Sequence, residues 1–105
     1  MEWITGMNVA INYIEEHILE EIDYGKLGRL AGCSSSHFQR IFTYLGGVTL
    51  KEYIKRRRMS LAATELADSS AKVIDVALKY GYSSPTAFTR AFADIHGVTP
   101  SEVKD

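Results

Sequence analysis

Two arginines, Arg40 and Arg90, occupy the same place in a sequence string that occurs twice, F-x-R-x-F-x-x-[LI]-x-G-V-T. In a helix, the two phenylalanines of each copy lie on one face, so the arginine between them points away from that face. A guanidinium carries five N–H donors in a planar fork and can pair with the O6 and N7 edge of guanine. The two arginines are therefore candidates for contact with a ligand rather than for the core.

The first copy adds further hydrogen-bonding side chains on or near the same outer face. Gln39 suits the N6 and N7 edge of adenine. His37 either contacts phosphate or serves only the fold, and metal ligation has little support because the three histidines of the chain show no ligand spacing. The candidate contact residues are Ser36, His37, Gln39, Arg40 and Thr43 in the first copy, and Thr86, Thr89 and Arg90 in the second.

Both sets of side chains follow the same arrangement of a short helix, a glycine turn and a second helix. The turn glycines are Gly32 and Gly81, and the period of the repeat is about fifty residues. Self-similarity at such a period indicates two copies of one supersecondary unit, here a helix-turn-helix. An outer polar face is usually only solvated, but in this context contact with base edges is the better interpretation.

Apolar periodicity, together with helix start and stop signals, predicts an all-α fold of about seven helices. Residues with N-cap or capping-box chemistry stand before most of them: Asp23, Ser34, Thr49, Ser84 with Pro85, and Thr99. The predicted helices cover residues 3–19, 24–31, 35–45, 50–68 and 73–80, and two more begin at residues 85 and 100.

The apolar positions of these helices predict the core. Trp3 is assigned to the core stripe of the first helix, because it shares the spacing of the isoleucines there. Cys33 is assigned as a small buried residue, since no basic residue or histidine stands beside it to activate a thiolate. The main predicted core residues are Met7, Ile11, Ile14, Ile18, Leu27, Leu30, Ala31, Phe38, Ile41, Phe42, Leu45, Val73, Val76, Ala77, Tyr80, Phe88, Ala91, Phe92 and Ile95.

The composition is that of one small globular domain or two very small ones. The chain has 105 residues, 46% of them hydrophobic, and a single cysteine, which cannot form an internal disulfide. No apolar run approaches the ~20 residues that span a bilayer, and the N-terminus lacks the pattern of a signal peptide. We therefore expect a cytoplasmic protein without a membrane segment, metal or cofactor.

The net charge of −1 is a weak argument against a nucleic-acid binder, but the charges are unevenly distributed. Residues 1–34 carry −4, whereas residues 35–58 carry +5. Phosphate attraction acts within roughly a Debye length, ~8–10 Å, so the local charge matters more than the total. The run KRRR at 55–58 encircles a helix, so we expect one or two phosphate contacts from it, with Arg58 directed inward beside Met59.

Residues 81–100, G-Y-x-S-x-x-x-F-x-R-x-F-x-x-x-x-G-V-T-P, closely resemble the signature of the AraC/XylS family of bacterial transcription regulators. Residues 27–42 and the linker cue at 53–62 match it as well. The resemblance implies two homeodomain-like helix-turn-helix subdomains, 1–49 and 69–105, joined by a linker helix at 50–68. It implies that the third and sixth helices enter adjacent major-groove segments. Family readout positions fall on Ser36, Gln39 and Arg40, and on Pro85, Thr86, Thr89 and Arg90.

Three departures from the family pattern bear on these contacts. Gly28 stands where an alanine usually packs between the first pair of helices, so we expect a less rigid first unit. Ala93 and Asp94 replace the basic residues that often follow the second F-x-R-x-F, so we expect fewer phosphate contacts there. Pro85 and Ser36 lack long donors, so readout is expected to rest on Gln39, Thr86, Thr89 and the two arginines.

The leading hypothesis is a sequence-specific DNA-binding domain with double-stranded DNA and RNA polymerase as partners. The alternative is a module that binds RNA polymerase or another protein, with weakened DNA binding, and the near-neutral charge supports it. An enzyme is the weakest hypothesis, because no nucleophile–base pair, metal set or phosphate loop is visible. The capping box at 99–102, so near the end of the sequence, leads us to expect an effector-binding domain after Asp105.

Overall fold

A computed structural model describes residues 2–68 and 70–104, with side chains from Ile4 onward, so the core position predicted for Trp3 lies outside the described side chains. Within these residues the chain forms helices and turns and no strand, as the sequence predicts. The helices are α1 (Glu2–Glu16), α2 (Tyr24–Ala31), α3 (Ser35–Gly46), α4 (Leu50–Leu66), α5 (Val73–Lys79), α6 (Pro85–His96) and α7 (Pro100–Lys104).

Three helices end earlier than predicted, and for α5 the difference is one residue, since it ends at Lys79 rather than 80. α1 ends at Glu16 rather than 19, and residues 17–19 form a turn. α4 ends at Leu66 rather than 68. The Asp68 carboxylate accepts hydrogen bonds from the backbone N–H and the hydroxyl of Ser70, both at 2.9 Å. A short polar side chain that binds local backbone in this way offers an alternative to helix continuation.

Side chains cap α2, α3, α6 and α7, whereas α5 begins without a side-chain cap hydrogen bond. The Ser34 and Ser84 hydroxyls accept hydrogen bonds from the backbone N–H three residues later, at 3.1 and 3.3 Å. Asp23 caps α2 in the same way at 3.2 Å. Thr99 and Glu102 form a full capping box, with reciprocal hydrogen bonds of 2.9 and 3.3 Å. Each such cap contributes ~1 kcal/mol, so local sequence fixes where these helices begin.

The chain divides into two compact units, Met1–Ile54 (unit 1) and Lys55–Asp105 (unit 2). The division falls within the sequence of α4 rather than at either end of that helix. The scheme of two subdomains and a separate linker, with bounds 1–49, 50–68 and 69–105, stays a prediction.

The core of unit 1 forms where α1, α2 and α3 pack against one another. A polar contact at its edge ties the start of α4 to α1, because the Tyr53 hydroxyl donates to a Glu15 carboxylate oxygen at 3.0 Å. The buried apolar residues of this unit are Met7, Ala10, Ile14, Ile18, Ile22, Leu27, Phe38, Phe42, Leu50 and Ile54.

The core of unit 2 brings together residues of α4, α5 and α6. Ile95 and Val103 are half-buried and pack against this core, so α7 also contributes to it. Its buried residues are Met59, Ala62, Leu66, Val76, Ala77, Tyr80, Phe88 and Phe92.

The predicted core is wrong at Leu45, which is 55% exposed. Periodicity predicts the face of the helix on which a residue lies, but not whether another element covers that turn of the helix. Cys33 is half-buried rather than fully buried. Seven more predicted core residues are also half-buried: Ile11, Leu30, Ala31, Ile41, Val73, Ala91 and Ile95.

Candidate nucleic-acid interface

α3 turns a polar side to solvent because its apolar side is fixed. Phe38 and Phe42 are buried with their ring centroids 6.2 Å apart. The Tyr53 ring meets Phe42 edge-on at 5.2 Å. Since both phenylalanines point inward, residues on the opposite side of the helix point outward. Four predicted contact residues of the first copy are exposed: Ser36, His37, Arg40 and Thr43.

Gln39 departs from this simple outward placement. It is half-buried, and its Nε2 donates to the Ser35 hydroxyl at 3.1 Å. The Thr43 hydroxyl donates to the Gln39 backbone carbonyl at 2.9 Å. A paired contact with adenine uses the amide oxygen and one of the two amide N–H groups, so the other N–H can keep the bond to Ser35. The spacing of four residues between Ser35 and Gln39 is the sequence signal that could have indicated this bond.

α6 gathers the predicted contact residues of the second copy. Pro85, Thr86, Thr89 and Arg90 line one shallow, open depression. Pro85 stands in the first turn of α6, after the capping Ser84. Thr89 is half-buried and the other three are exposed. Threonine hydroxyls both donate and accept hydrogen bonds, whereas a guanidinium only donates. The depression therefore offers mixed hydrogen-bonding chemistry.

Arg40 and Arg90 have equivalent environments. Both are exposed. Across residues 2–68 and 70–104, neither guanidinium has a hydrogen-bond or ion-pair partner. Their N–H donors are therefore available to a ligand, as their place between buried phenylalanines predicts.

Aromatic contacts and one histidine hold α6 in place. The Tyr82 ring meets Phe88 edge-on at 5.5 Å. The His96 ring lies 4.4 Å from the Phe92 ring, centroid to centroid, and its Nε2 is 3.0 Å from the Met59 carbonyl oxygen in α4. From its sequence position, His96 is a candidate only for metal ligation, and it lacks ligand spacing. In the structure, its contacts with Phe92 and the Met59 carbonyl hold the last turn of α6 in position.

The turn before α3 passes very close to α2 at Gly28. A Cβ atom on Gly28 would stand 2.6 Å from the Ser35 backbone nitrogen and 2.8 Å from the Cys33 carbonyl oxygen. Because these are backbone atoms, they cannot move aside as the end of a flexible side chain can. Gly28 therefore leaves no gap where an alanine usually packs, since the turn itself fills that space. The expected lower rigidity of unit 1 stays a prediction.

A carboxylate attaches α5 to α4 in unit 2. The Tyr80 hydroxyl donates to Glu65 Oε1 at 2.7 Å, and Lys79 Nζ donates to the same oxygen. The hydrogen bond from Lys79, followed by that from Tyr80, lowers the pKa of Glu65. Burial, followed by the bond to Glu65, raises the pKa of Tyr80. At neutral pH the carboxylate is thus ionised and the phenol protonated, which keeps the first helix of this helix-turn-helix in place.

Comparison with known proteins decides the family. Residues 27–105 match a family model described as a helix-turn-helix domain. The regulatory protein SoxS of Salmonella typhimurium is 35% identical over 98 residues, which are 93% of this chain and 92% of SoxS. The crystal structure of a probable AraC family transcriptional regulator from Rhodopseudomonas palustris has 29% identity and a TM-score of 0.83, covering 95% of this chain and 94% of that one. The chain belongs to the AraC family.

Membership of the AraC family confirms the predicted all-α helix-turn-helix fold and the predicted DNA-binding domain of a transcription regulator. The alternative of a protein-interaction module is not favoured. The DNA-binding domain of AdpA, a global transcriptional factor solved in complex with a target DNA, is similar at 26% identity and a TM-score of 0.79, covering 93% of this chain and 88% of that one. Across curated relatives, the chain spans from 34% to 92% of the relative's length.

The AraC-type α3 carries one large exposed side chain that the sequence analysis did not assign. Tyr44 is 86% exposed. Together with His37, Arg40, Ile41 and Leu45, it lines a shallow, open and mostly apolar surface. Its spacing of four residues from Arg40 and seven from His37 places it near both on the helix surface. That spacing is the signal by which it could have been found.

The basic run of α4 is spread around the helix, as predicted. Arg56 is exposed, whereas Lys55, Arg57 and Arg58 are half-buried. Burial raises the pKa of the Tyr82 phenol, and the charge of Arg58 partly opposes that shift. The inward direction expected for Arg58 and the number of phosphate contacts from the run stay predictions.

The part of the chain that the structure describes contains neither a candidate metal site nor a membrane-spanning helix. No three His, Cys, Asp or Glu side chains there are grouped so that they could hold a metal ion. Among the same residues, no helix has the length and apolar character needed to cross a membrane.

Proposed function

We propose that this AraC-type domain binds double-stranded DNA sequence-specifically, with α3 and α6 in two adjacent major-groove segments. The observation that carries the proposal is the matched placement of Arg40 and Arg90. Both guanidinium groups are exposed and lie between buried phenylalanines. Both also stand among hydroxyl or amide side chains of the type that complements base edges.

Each predicted contact residue receives a role from its chemistry. Arg40 and Arg90 pair with the O6 and N7 atoms of guanine, and Gln39 pairs with adenine through its amide oxygen and the N–H that is not bonded to Ser35. His37 contacts a phosphate. Hydroxyl or apolar contacts to bases and the backbone come from Ser36, Thr43, Pro85, Thr86 and Thr89. The AdpA domain, which resembles this chain and was solved with a target DNA, supports DNA binding by this fold.

The near-neutral charge of the chain is compatible with DNA binding. Residues 35–58, which include α3 and the first half of α4, carry +5. Lys51 and Arg56 are exposed cations of this stretch. Because screening limits phosphate attraction to roughly 8–10 Å, the local charge of this stretch matters more for DNA binding than the net charge of the chain.

We also propose RNA polymerase as a protein partner, the bacterial cytoplasm as the location and an effector-binding domain as part of the full protein. The role of a transcription regulator supports RNA polymerase as the partner and the cytoplasm as the location. One relative, AarP of Providencia stuartii, is a transcriptional activator. Relatives range from little longer than this chain to about three times its length. The open reading frame of the gene tests the effector-binding domain.

Selection of bound sequences from a random DNA pool, followed by fluorescence anisotropy at increasing salt, tests the main proposal. We expect an enriched site with two separate blocks of specified bases. Binding should weaken with salt, with a slope of log K against log salt of about −0.9 for each phosphate neutralised. Arg40→Ala should relax specificity in one block and Arg90→Ala in the other. Arg29→Ala, which removes another exposed arginine, is the matched control.

Two results would contradict the proposal. One is a pool without enriched sequences after repeated selection. The other is an affinity that does not change with salt, because phosphate-driven binding always loses strength as counterions are added. Retained binding to RNA polymerase in that case would favour the protein-interaction module.

A further inference from the structure

Tyr44 and its neighbours form an exposed surface that the proposed readout residues do not account for. Tyr44 is 86% exposed and Leu45 55% exposed. Within residues 2–68 and 70–104, the Tyr44 hydroxyl has no hydrogen-bond partner. An aromatic ring with a polar hydroxyl suits an interface that is apolar on one side and hydrated on the other. We call the surface lined by His37, Arg40, Ile41, Tyr44 and Leu45 the Tyr44 surface.

We propose that Tyr44 contacts the DNA backbone. Its hydroxyl donates a hydrogen bond to a phosphate oxygen at the edge of the groove that α3 enters, and its ring covers the adjoining deoxyribose. The proposal rests on the proposed function, because it requires α3 to lie in the major groove. It adds a positioning contact to the set of readout residues.

The length of α3 explains why Tyr44 should reach a phosphate rather than a base. α3 has 12 residues, which at 1.5 Å per residue is ~18 Å, whereas the major groove is about 12 Å wide. Recognition helices contact base edges mainly with their N-terminal residues. Tyr44 lies eight residues after Ser36, or ~12 Å along the axis. At that distance from the base-reading end, a side chain meets the sugar–phosphate wall of the groove.

The chemistry of the Tyr44 surface also fits the DNA backbone. Its two polar neighbours, His37 and Arg40, are basic residues, and no acidic residue lines it. Ile41 and Leu45 give it apolar area of the kind that packs against a sugar. Tyrosine hydroxyls are ordinary donors to phosphate oxygens in protein–DNA complexes. The two basic side chains suit a phosphate and the apolar area suits a sugar, so the DNA backbone complements both parts of this surface.

α6 shows the opposite chemistry at the corresponding position. Fifty residues after Tyr44 stands Asp94, which is exposed. A carboxylate there repels phosphate, so the proposed contact belongs to α3 alone. The substitution Tyr44→Asp gives α3 the residue type that α6 carries at the corresponding position, and it therefore serves as a matched variant.

A double-mutant cycle tests the contact, using the enriched site and duplexes that carry one uncharged methylphosphonate at each phosphate near the first block. Tyr44→Phe should weaken binding to natural DNA roughly tenfold, the size expected for a hydrogen bond to a charged group. At one position, the methylphosphonate should weaken the wild type but leave Tyr44→Phe unchanged. Tyr44→Asp should bind more weakly still. Tyr13→Phe, which alters a half-buried tyrosine of α1, is the control.

Salt dependence gives a second measurement. A neutral donor releases no counterion, so the salt slope of Tyr44→Phe should equal that of the wild type. Tyr44→Lys should make the slope steeper by about 0.9. An unchanged slope for Tyr44→Lys would show that position 44 is not near a phosphate.

Several outcomes would overturn the proposal. If Tyr44→Phe binds DNA as the wild type does while Arg40→Ala binds weakly, the contact is absent and the proposed function stands. If the wild type itself shows no DNA binding, the proposed function fails and this contact fails with it. If Tyr44→Ala converts a dimer into a monomer in sedimentation equilibrium without a change in DNA affinity, the Tyr44 surface binds a second copy of the chain.

Discussion

The two helix-turn-helix units place their arginines alike, but their turns differ by one residue. Between the turn glycine and the capping serine stands Cys33 alone in unit 1, and Tyr82 and Ser83 in unit 2. The shorter turn lies directly against α2, so that α2 must carry Gly28 at the contact. The longer turn faces the corresponding residue Ala77, whose methyl group is buried.

This difference shows two ways to seat a recognition helix. Unit 1 uses contact between backbone segments at Gly28. Unit 2 uses side chains: the Tyr82 ring packs on Phe88, and His96 reaches the α4 backbone. The position corresponding to His96 in α3 is Gly46, which has no side chain to make such a bond. Equal placement of the arginines thus does not require equal packing beneath them.

The largest effect that this comparison predicts is that of Gly28→Ala. The added methyl group would stand 2.6 to 2.8 Å from three backbone atoms. Overpacking typically costs 1–3 kcal/mol, and the ~1 kcal/mol gain in helix propensity offsets only part of it. We expect a loss of about 2 kcal/mol in the free energy of unfolding, measured by urea denaturation monitored by circular dichroism.

Two variants control this prediction. Insertion of one glycine after Cys33 should restore much of the stability of Gly28→Ala, because it gives unit 1 the turn length of unit 2. Ala77→Gly should cost about 2 kcal/mol, of which ~1 kcal/mol comes from helix propensity and the rest from the loss of a buried methyl group. A Gly28→Ala protein as stable as the wild type would show that the turn can move away from α2 without cost.

The next largest effect is on DNA affinity and tests the equivalence of the two arginines. Arg40→Ala and Arg90→Ala should each cost roughly 1–3 kcal/mol of binding free energy if each pairs with a guanine. Arginine-to-lysine variants should not restore the loss, since lysine lacks the paired donors. Anisotropy titrations on the enriched site measure all four variants. If only one of the two alanine variants loses affinity, the two helix-turn-helix units contribute unequally to DNA binding.

A smaller effect concerns the carboxylate that only unit 2 places between its first two helices. The pKa of Glu65 lies below its ordinary value of 4.5, so ionised Glu65 adds stability above about pH 4.5. That stability is lost as the pH falls through the folded pKa. Glu65→Gln should lower stability at pH 7 by less than about 1 kcal/mol, since the pair is partly exposed.

Denaturation at two pH values isolates the Glu65 contribution. The difference between the wild type and Glu65→Gln should shrink as the pH falls from 7 through the folded pKa of Glu65, because protonation then makes this side chain neutral in both proteins. Tyr80→Phe should reduce the same difference, because it removes one of the two donors. A difference that stays constant with pH would show that ionisation of Glu65 does not stabilise unit 2.

The smallest effect is that of Asp94→Asn in α6. Removal of an exposed carboxylate near a polyanion should strengthen DNA binding by a few tenths of a kcal/mol, an increment that shrinks at high salt. Glu16→Gln in α1, which neutralises an exposed acid of unit 1, is the control. If both substitutions strengthen binding equally, the gain reflects net charge and not the position of Asp94.

Much of the fold could be predicted because its signals are local. Cap residues, glycine turns and apolar periodicity determine where helices begin and which side faces inward, and Phe38 and Phe88 are buried as expected. The close approach at Gly28 and the exposure of Leu45 depend on which segments meet in space. Local sequence does not contain that information. The bond from Gln39 to Ser35 is also not predicted, because helix periodicity gives the face on which a polar side chain lies but not whether it bonds to a neighbour on the same helix.

The half-buried Cys33 makes the short turn of unit 1 accessible to labelling kinetics. It is the only thiol in the chain, so a thiol reagent reports on this one position without any engineering. Where local opening is fast and reversible, the labelling rate gives the free energy of that opening, as amide exchange does for backbone N–H groups. A comparison of that value with the global free energy of unfolding would show whether the contact at Gly28 opens by itself or only when the whole unit unfolds.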